Sequence, residues 1–240
     1  MSRLIQQNRA FGRAAAEYDR GRPSYPATLL DKLPLERDGS VLDLGAGTGK
    51  LTRVLANRYA HVIAVEPLDE LRAVLAERVR EADVRAGAAE AVPLTDASVD
   101  AVFAGQAFHW FANDAAVGEI VRVLRPGGVL ALLWNVPNGT PSVPEAYNTR
   151  LEALHEERRP EPPDENILER FPFGEKHEEA VEHEQVSPRD DVLALAASVS
   201  WIAMRDDREE ILAELGELLP PGEYVFPLRC ELTWTIRSFD

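Results

Sequence analysis

The segment that most constrains the fold of this 240-residue chain is residues 41–49, which read Val-Leu-Asp-Leu-Gly-Ala-Gly-Thr-Gly. Its apolar start predicts a short strand that is buried on both faces. Three glycines follow in G-x-G-x-G spacing, and then Leu51, Val54 and Leu55 recur at helical spacing. A strand, a glycine turn and a helix in this order predict a nucleotide-binding corner. Glycine lets the backbone approach a ligand closely, and a helix N-terminus presents free N–H groups.

Spacing distinguishes the ligand classes that use such a corner. A dinucleotide fold requires G-x-G-x-x-G, but the third position here is Lys50. A P-loop requires G-x-x-x-x-G-K-[ST], but its first glycine would be Leu44 and its hydroxyl residue would be Leu51. Both classes are therefore disfavoured, and a tight strand–helix turn without any ligand is the structural alternative.

The third class is S-adenosylmethionine (SAM). The segment Asp43–Gly49 resembles the first motif of the class I SAM-dependent methyltransferases, which is an acidic residue, one further residue and G-x-G-x-G. The run Gln106–Phe111 resembles a variant found in the type 11 group, which acts on small molecules, and Arg-Pro-Gly-Gly at 125–128 is a further family hallmark. The resemblance is specific over residues 40–135.

This resemblance implies a fold and a domain organisation. The expected fold is an α/β, Rossmann-like, doubly wound sheet of seven mainly parallel strands in the order 3-2-1-4-5-7-6, with strand 7 antiparallel. We expect a single domain over residues 1–240. Its expected segments are an N-terminal lid (1–30), a cofactor-binding core (40–135), an acidic insertion after strand 5 (136–190), and a closing helix and strand (191–240).

A second apolar strand, Val62–Val65, ends at Glu66, about 20 residues after the corner, where a carboxylate accepts hydrogen bonds from a ribose diol. NAD sites use the same device, so Glu66 indicates a nucleoside rather than SAM, and its structural alternative is an acid at a helix start. The expected cofactor-binding residues are Tyr18, Arg22, Asp43, Gly45, Ala46, Gly47, Glu66, Pro67, Leu68, Ala89, Glu90 and Gln106.

One position departs from the family pattern. Members often read G-D-A-E after the third strand, and the Asp faces the adenine amine, whereas this chain has Ala88 there. Recognition of adenine is then expected to depend on backbone groups or on Glu90.

The candidate general base is His109, because it follows the predicted fourth strand by a few residues and histidine titrates near neutral pH. A base helps only if the methyl acceptor carries a proton at the working pH. The alternative is a structural histidine that is wedged among Phe108, Trp110 and Phe111.

The N-terminal segment is locally basic and aromatic, and related methyltransferases often fold a similar Tyr…Arg-Pro segment over the cofactor. We expect Tyr18, Arg22 and Tyr25 to belong to a lid that is mobile without ligand, with Arg22 pairing a carboxylate of SAM or of the substrate. A helix cap with solvated arginines is the alternative.

Composition limits the partners. The formal net charge is −15, and no basic surface for phosphate contacts is visible, which argues against nucleic acid. No apolar run approaches a membrane span. Cys230 is the only cysteine, which fits a reducing cytoplasm and a buried packing role. His177 and His183 lack a third ligand at suitable spacing, so no metal is expected. We expect a small-molecule substrate, a monomer or homodimer, and no membrane partner.

The acidic charge is concentrated in residues 145–191, which carry 15 acidic and 6 basic residues together with several prolines. This pattern predicts a mobile, solvated insertion rather than a packed layer. Beyond it, residues 190–219 are predicted to be helical, and Leu228–Ile236 is predicted to be the closing strand.

Three functions are compatible with these observations. The first is a SAM-dependent methyltransferase that acts on an O, N or C nucleophile of a small molecule. The second is a non-enzymatic SAM-binding or regulatory protein, since a fold does not fix chemistry. The third is an NAD-dependent oxidoreductase, which the Asp43 motif and the missing third glycine disfavour.

Overall fold

A computed structural model describes residues 19–156 and 166–239. Seven strands form one sheet in the order β3-β2-β1-β4-β5-β7-β6, as predicted. The strands are β1 Ser40–Leu44, β2 His61–Val65, β3 Asp83–Arg85, β4 Val99–Gly105, β5 Leu124–Pro137, β6 His177–Pro188 and β7 Glu223–Ile236. Neighbours among β1 to β5 are parallel. The strand β7 runs antiparallel to β5. Two hydrogen bonds show this direction: the Gly127 N–H donates to the Arg237 carbonyl, and the Asn138 N–H donates to the Pro227 carbonyl.

Helices follow β1, β2 and β4, whereas a loop connects β3 to β4. The α-helices are α1 Lys50–Ala56, α2 Asp69–Arg78, α3 Asp114–Val123, α4 Glu145–Glu156, α5 Arg189–Ser198, α6 Ser200–Ala203 and α7 Arg208–Leu218. Short 3₁₀ helices cover Ala27–Lys32, Phe108–Trp110 and Ile167–Arg170. No helix among the described residues is both long and apolar enough to cross a membrane.

The chain divides into two compact units. The first, which we call the sheet unit, holds the described residues 24–136, 166–181 and 229–239. Successive side chains of β1 alternate between its two apolar cores: Val41 lies in one, and Leu42 and Leu44 lie in the other. This alternation explains the apolar run in the sequence, because a strand covered on both faces needs apolar residues at every position.

The second unit, which we call the helical unit, holds the described residues 19–23, 137–156 and 182–228. Its core packs side chains of α4, α5 and α7, and Ile211, Leu215 and Leu219 are buried there. Whether residues 1–240 act as the single domain that the sequence predicts stays a prediction.

The prediction that the acidic segment forms no packed layer is wrong for its described residues. Helix α4 buries Tyr147 and Leu154, a 3₁₀ turn buries Ile167 and Leu168, and β6 forms an edge strand of the sheet. A few well-spaced apolar residues anchor these elements, while their many carboxylates occupy exposed positions. Residues 157–165 lie outside the described range.

The last strand of the sheet begins earlier than predicted, and β5 begins directly after a helix. Helix α3 ends at Val123, and Leu124 is extended and pairs with Val99 of β4. Pro126 disfavours a helical conformation at Arg125, so the chain leaves the helix before the proline. The closing strand starts at Glu223 rather than Leu228 and contains Cys230, which is buried as predicted. Burial raises the pKa of the Cys230 thiol to about 12.

Candidate functional site

The glycine corner between β1 and α1 depends on left-handed backbone. The backbone φ angle is 71° at Gly45, 58° at Gly47 and 89° at Gly49. Residues that have a Cβ rarely adopt this left-handed region. The N–H groups of Gly45 and Ala46 both donate to the Val65 carbonyl, at 2.9 and 3.1 Å. The turn is therefore fastened to the carboxyl end of β2, and the sequence pattern correctly identifies where glycine is required.

Two of these glycines also permit close packing. A Cβ at Gly45 would lie 3.0 Å from the Cβ of Ala107 and 3.1 Å from Cε1 of Phe111. A Cβ at Gly49 would lie 2.5 Å from Cδ1 of Leu75 in α2. The corner is thus enclosed by the loop after β4 and by α2.

Asp43 lies at the base of the corner and is buried. Its Oδ2 accepts a hydrogen bond of 2.6 Å from the Thr52 hydroxyl, whereas its Oδ1 and the Oγ1 of Thr48 are buried without a hydrogen-bond partner among the described residues. Burial raises the pKa of the Asp43 carboxyl to about 7; the Thr52 hydrogen bond opposes this rise and the charge of Glu66 adds to it. Thr52 was not predicted, because it is nine positions from Asp43.

Glu66 holds the corner to the loop after β2. Its two carboxylate oxygens accept the N–H groups of Gly47 and Leu68, each at 2.9 Å, and the side chain is buried. Arg72 donates to the carbonyls of Glu66 and Pro67 and so fixes the same loop. Burial raises the pKa of Glu66, against the effect of the two backbone donors. Each carboxylate oxygen has two lone pairs, so Glu66 retains capacity to accept hydroxyl groups.

The loop after β3 is joined to α3. Ala89 is buried, whereas Glu90 is exposed and accepts a hydrogen bond of 2.9 Å from the Asn113 amide. Asn113 is also the residue that caps the N-terminus of α3, through Ala116 N–H. Glu90 thus fixes this loop, and its contact with adenine stays a prediction.

Gln106, directly after β4, is strained. Its φ of 54° is left-handed although it is not a glycine. Its backbone N–H donates to the Leu133 carbonyl at 2.9 Å, and its Nε2 donates to the Asn135 carbonyl at 2.6 Å. Asn135 in turn donates to the Ser24 carbonyl at 3.0 Å. These bonds connect the end of β4 to Leu133 and Asn135 of β5, and no sequence pattern indicates Asn135 or the backbone strain.

His109 is exposed, so it is not enclosed among Phe108, Trp110 and Phe111, and the choice between a general base and a structural histidine stays a prediction. Its ring centroid lies 4.5 Å from that of Trp110 and 5.4 Å from that of Trp134. Phe108 and Phe111 are buried in the core, where their rings meet edge to face at 5.7 Å. The sequence analysis does not predict Trp134 as a site residue; it lies in β5, the strand that pairs with β4.

Of the three N-terminal candidates, Tyr18 lies outside the described residues, and Arg22 and Tyr25 belong to different compact units. Within the helical unit, Arg22 donates to the hydroxyl and the carbonyl of Ser198, at 3.0 and 3.1 Å, so it caps the end of α5. Tyr25 is buried in the core of the sheet unit, and its hydroxyl lies 2.7 Å from where a Cβ at Gly105 would be. The prediction that Tyr25 belongs to a mobile lid is therefore wrong, because its ring is part of the core.

The histidines of β6 show no metal chemistry in the described chain. His177 stacks on Trp234 with ring centroids 4.1 Å apart. In residues 19–156 and 166–239, no three His, Cys, Asp or Glu side chains are grouped to hold a metal ion.

Comparison with known proteins gives consistent similarities. Residues 42–132 match the model of a family described as methyltransferase domain. An uncharacterised methyltransferase of Mycobacterium tuberculosis is 49% identical over 126 residues, which are 52% of either chain. A malonyl-[acyl-carrier protein] O-methyltransferase of Enterobacter lignolyticus is 36% identical over 159 residues, which are 62% of this chain and 61% of the relative.

A solved structure, a putative type II methyltransferase from Anaeromyxobacter dehalogenans, is similar over nearly the whole chain. It is 29% identical with a TM-score of 0.63, and the match covers 90% of this chain and 96% of that one. By contrast, this chain spans about half the length of the mycobacterial relative, at 52%.

Proposed function

Because this chain, through residues 42–132, belongs to the class I SAM-dependent methyltransferases, we propose that it binds SAM and transfers the methyl group to an O, N or C nucleophile of a small molecule. A small-molecule substrate without nucleic-acid or membrane partners, a monomeric or homodimeric state and a cytoplasmic location remain predictions.

The observation that carries the proposal is the pair of buried carboxylates at the glycine corner. Burying a carboxylate is costly unless donors or positive charge compensate it. Oδ1 of Asp43 lacks a hydrogen-bond partner among the described residues, and burial raises the pKa of both Asp43 and Glu66. SAM offers what this site lacks: a ribose diol that donates hydrogen bonds, an ammonium group and a sulfonium group. The residues present therefore fit this cofactor.

Bound SAM would supply an electrophilic methyl group on a positively charged sulfur. The residues of the sheet unit would hold and orient the reactants, with Glu66 accepting the ribose diol and the glycine corner allowing close backbone approach. His109, which is exposed beside the loop after β4, would accept the proton of an acceptor that carries one.

Thermal unfolding with SAM, adenosylhomocysteine and NAD tests the proposal. A ligand that binds only the native state adds about 2.7 kcal/mol of stability at 100 times its dissociation constant. We expect SAM and adenosylhomocysteine to raise the melting temperature and NAD to have no effect. Stabilisation by NAD, without any effect of SAM, would contradict the cofactor assignment. Release of adenosylhomocysteine in the presence of a metabolite panel then distinguishes an enzyme from a protein that only binds SAM.

A further inference from the structure

We propose that the rings of His109, Trp110 and Trp134 form the binding site for the methyl acceptor, and that this acceptor is a small cationic amine. The inference rests on the proposed methyl transfer and adds the chemical class of its substrate.

The position of this aromatic cluster supports a ligand role. Trp134 directly follows Leu133, which pairs with Gly105 at the carboxyl end of β4, and His109 lies four residues beyond Gly105. Open α/β sheets bind their ligands outside the carboxyl ends of the strands. The cluster is thus at the same edge of the sheet as the glycine corner.

The shape and exposure of the cluster favour a compact cation. The His109 ring packs against Trp110, with ring centroids 4.5 Å apart and a tilt of 40°, and against Trp134, with centroids 5.4 Å apart and a tilt of 42°. Trp110 is 41% exposed and is one of few large apolar side chains on the described surface. The three rings thus form one contiguous aromatic surface, and the faces of indole rings attract cations such as ammonium groups.

Backbone strain beside the cluster is a second, independent observation. Gln106 and Ala97 are the two non-glycine residues with positive φ in the described chain. At Gln106 the strain is maintained by hydrogen bonds to the carbonyls of Leu133 and Asn135, which flank Trp134. Strain of this kind persists where the surroundings enforce it and is concentrated at ligand sites. Here it fixes the chain directly after β4, which leads to His109 and Trp110, against the part of β5 that carries Trp134.

Charge favours the same class of acceptor. A protein with a formal net charge of −15 raises the local concentration of cations and repels anions. A protonated amine has no lone pair, so it must first release a proton, which His109 can accept on its ring nitrogen. The lone pair then forms the N–C bond as the C–S bond of the methyl sulfonium breaks, and the bonding electrons remain on sulfur.

The test is a titration of the full chain, saturated with adenosylhomocysteine, in which NMR follows the indole N–H signals of its tryptophans. The probes are cyclohexylmethylamine, cyclohexylmethanol, benzyl alcohol and cyclohexanecarboxylate. We expect the amine to shift the signals of Trp110 and Trp134 and to bind at least about 5-fold more tightly than either alcohol. We expect Trp110→Leu to weaken amine binding by about 5- to 30-fold, and Trp110→Phe, which retains a ring, to weaken it less. Phe239→Leu, at another exposed aromatic residue of the sheet unit, is the control and should change nothing.

Tighter binding of benzyl alcohol would assign the cluster to flat aromatic acceptors, and tighter binding of the carboxylate would assign it to anions; either result overturns the inference. Normal binding of adenosylhomocysteine with no response of Trp110 or Trp134 to the amine also overturns it. Failure of adenosylhomocysteine to bind contradicts the proposed function instead, so the two failures are distinguishable.

Discussion

Replacing Asp43 by Asn should remove a large part of the pH dependence of stability. Burial raises the pKa of Asp43 from 3.8 to about 7, so between these values the folded protein holds the proton more tightly than the unfolded chain. The stability that this proton contributes is fully present below about pH 4 and is lost as the pH rises through 7. Roughly three pKa units correspond to about 4 kcal/mol, of which about 2–3 kcal/mol is lost between pH 5 and 8.

Asparagine has almost the same shape and keeps an oxygen that can accept the Thr52 hydroxyl, but it carries no charge. Urea unfolding of both proteins at several pH values from 5 to 8 measures the difference in their free energies of unfolding. The natural protein should lose about 2–3 kcal/mol relative to Asp43→Asn over this range. Asp96→Asn, at an exposed carboxylate, controls for the loss of one charge. Equal pH slopes for the natural protein and Asp43→Asn would refute the reasoning.

Three further substitutions test the corner and the N-terminal segment. Gly47→Val should abolish binding of adenosylhomocysteine in calorimetry, because φ of 58° is strained for a branched residue; a folded variant that binds normally would contradict this. Gly49→Ala should lower the free energy of unfolding by about 2 kcal/mol, since its Cβ would meet Leu75, and unchanged urea midpoints would argue against it. Arg22→Ala should cost about 1 kcal/mol through its lost hydrogen bonds to Ser198; weaker cofactor binding at unchanged stability would instead support a role at the cofactor.

The part of the fold that the sequence predicts is the part with strong local signals. The apolar run of β1, the three glycines and the spacing of Leu51, Val54 and Leu55 define strand, turn and helix without tertiary information. The strand order came from the resemblance, because periodicity does not determine which strands are neighbours. The resemblance is specific only over residues 40–135, and the acidic segment and Tyr25, whose packing differs from expectation, lie outside that range.

Composition wrongly predicts that the acidic segment is unpacked, because its many charged residues outnumber its few buried apolar residues. In β6, His177–Pro188, most side chains are exposed or half-buried, as expected of an edge strand that a charged sequence protects. In α4, the buried Tyr147 and Leu154 are seven residues apart, so they share one helix face. Average composition suggested solvation, whereas these individual positions are packed.

The sequence predicts the candidate-site residues that lie within one local segment. It does not predict contacts between residues that are far apart in the sequence. Glu66 follows its strand at the expected place, and the structure adds that it accepts the N–H groups of Gly47 and Leu68. The bond from Gln106 to Asn135 joins residues 29 positions apart. Such a pair depends on the register of β4 against β5, which a single sequence does not determine.

The central claim, that the glycine corner and Glu66 bind SAM, is tested most directly by calorimetric titration with adenosylhomocysteine. The natural protein, Glu66→Ala and Glu70→Ala would be compared, since Glu70 is an exposed acid in the first turn of α2. We predict about 10- to 100-fold weaker binding for Glu66→Ala, because a hydrogen bond to a charged group contributes about 1.5–3 kcal/mol, and unchanged binding for Glu70→Ala. Unchanged affinity in a Glu66→Ala variant that is folded by circular dichroism would contradict the account.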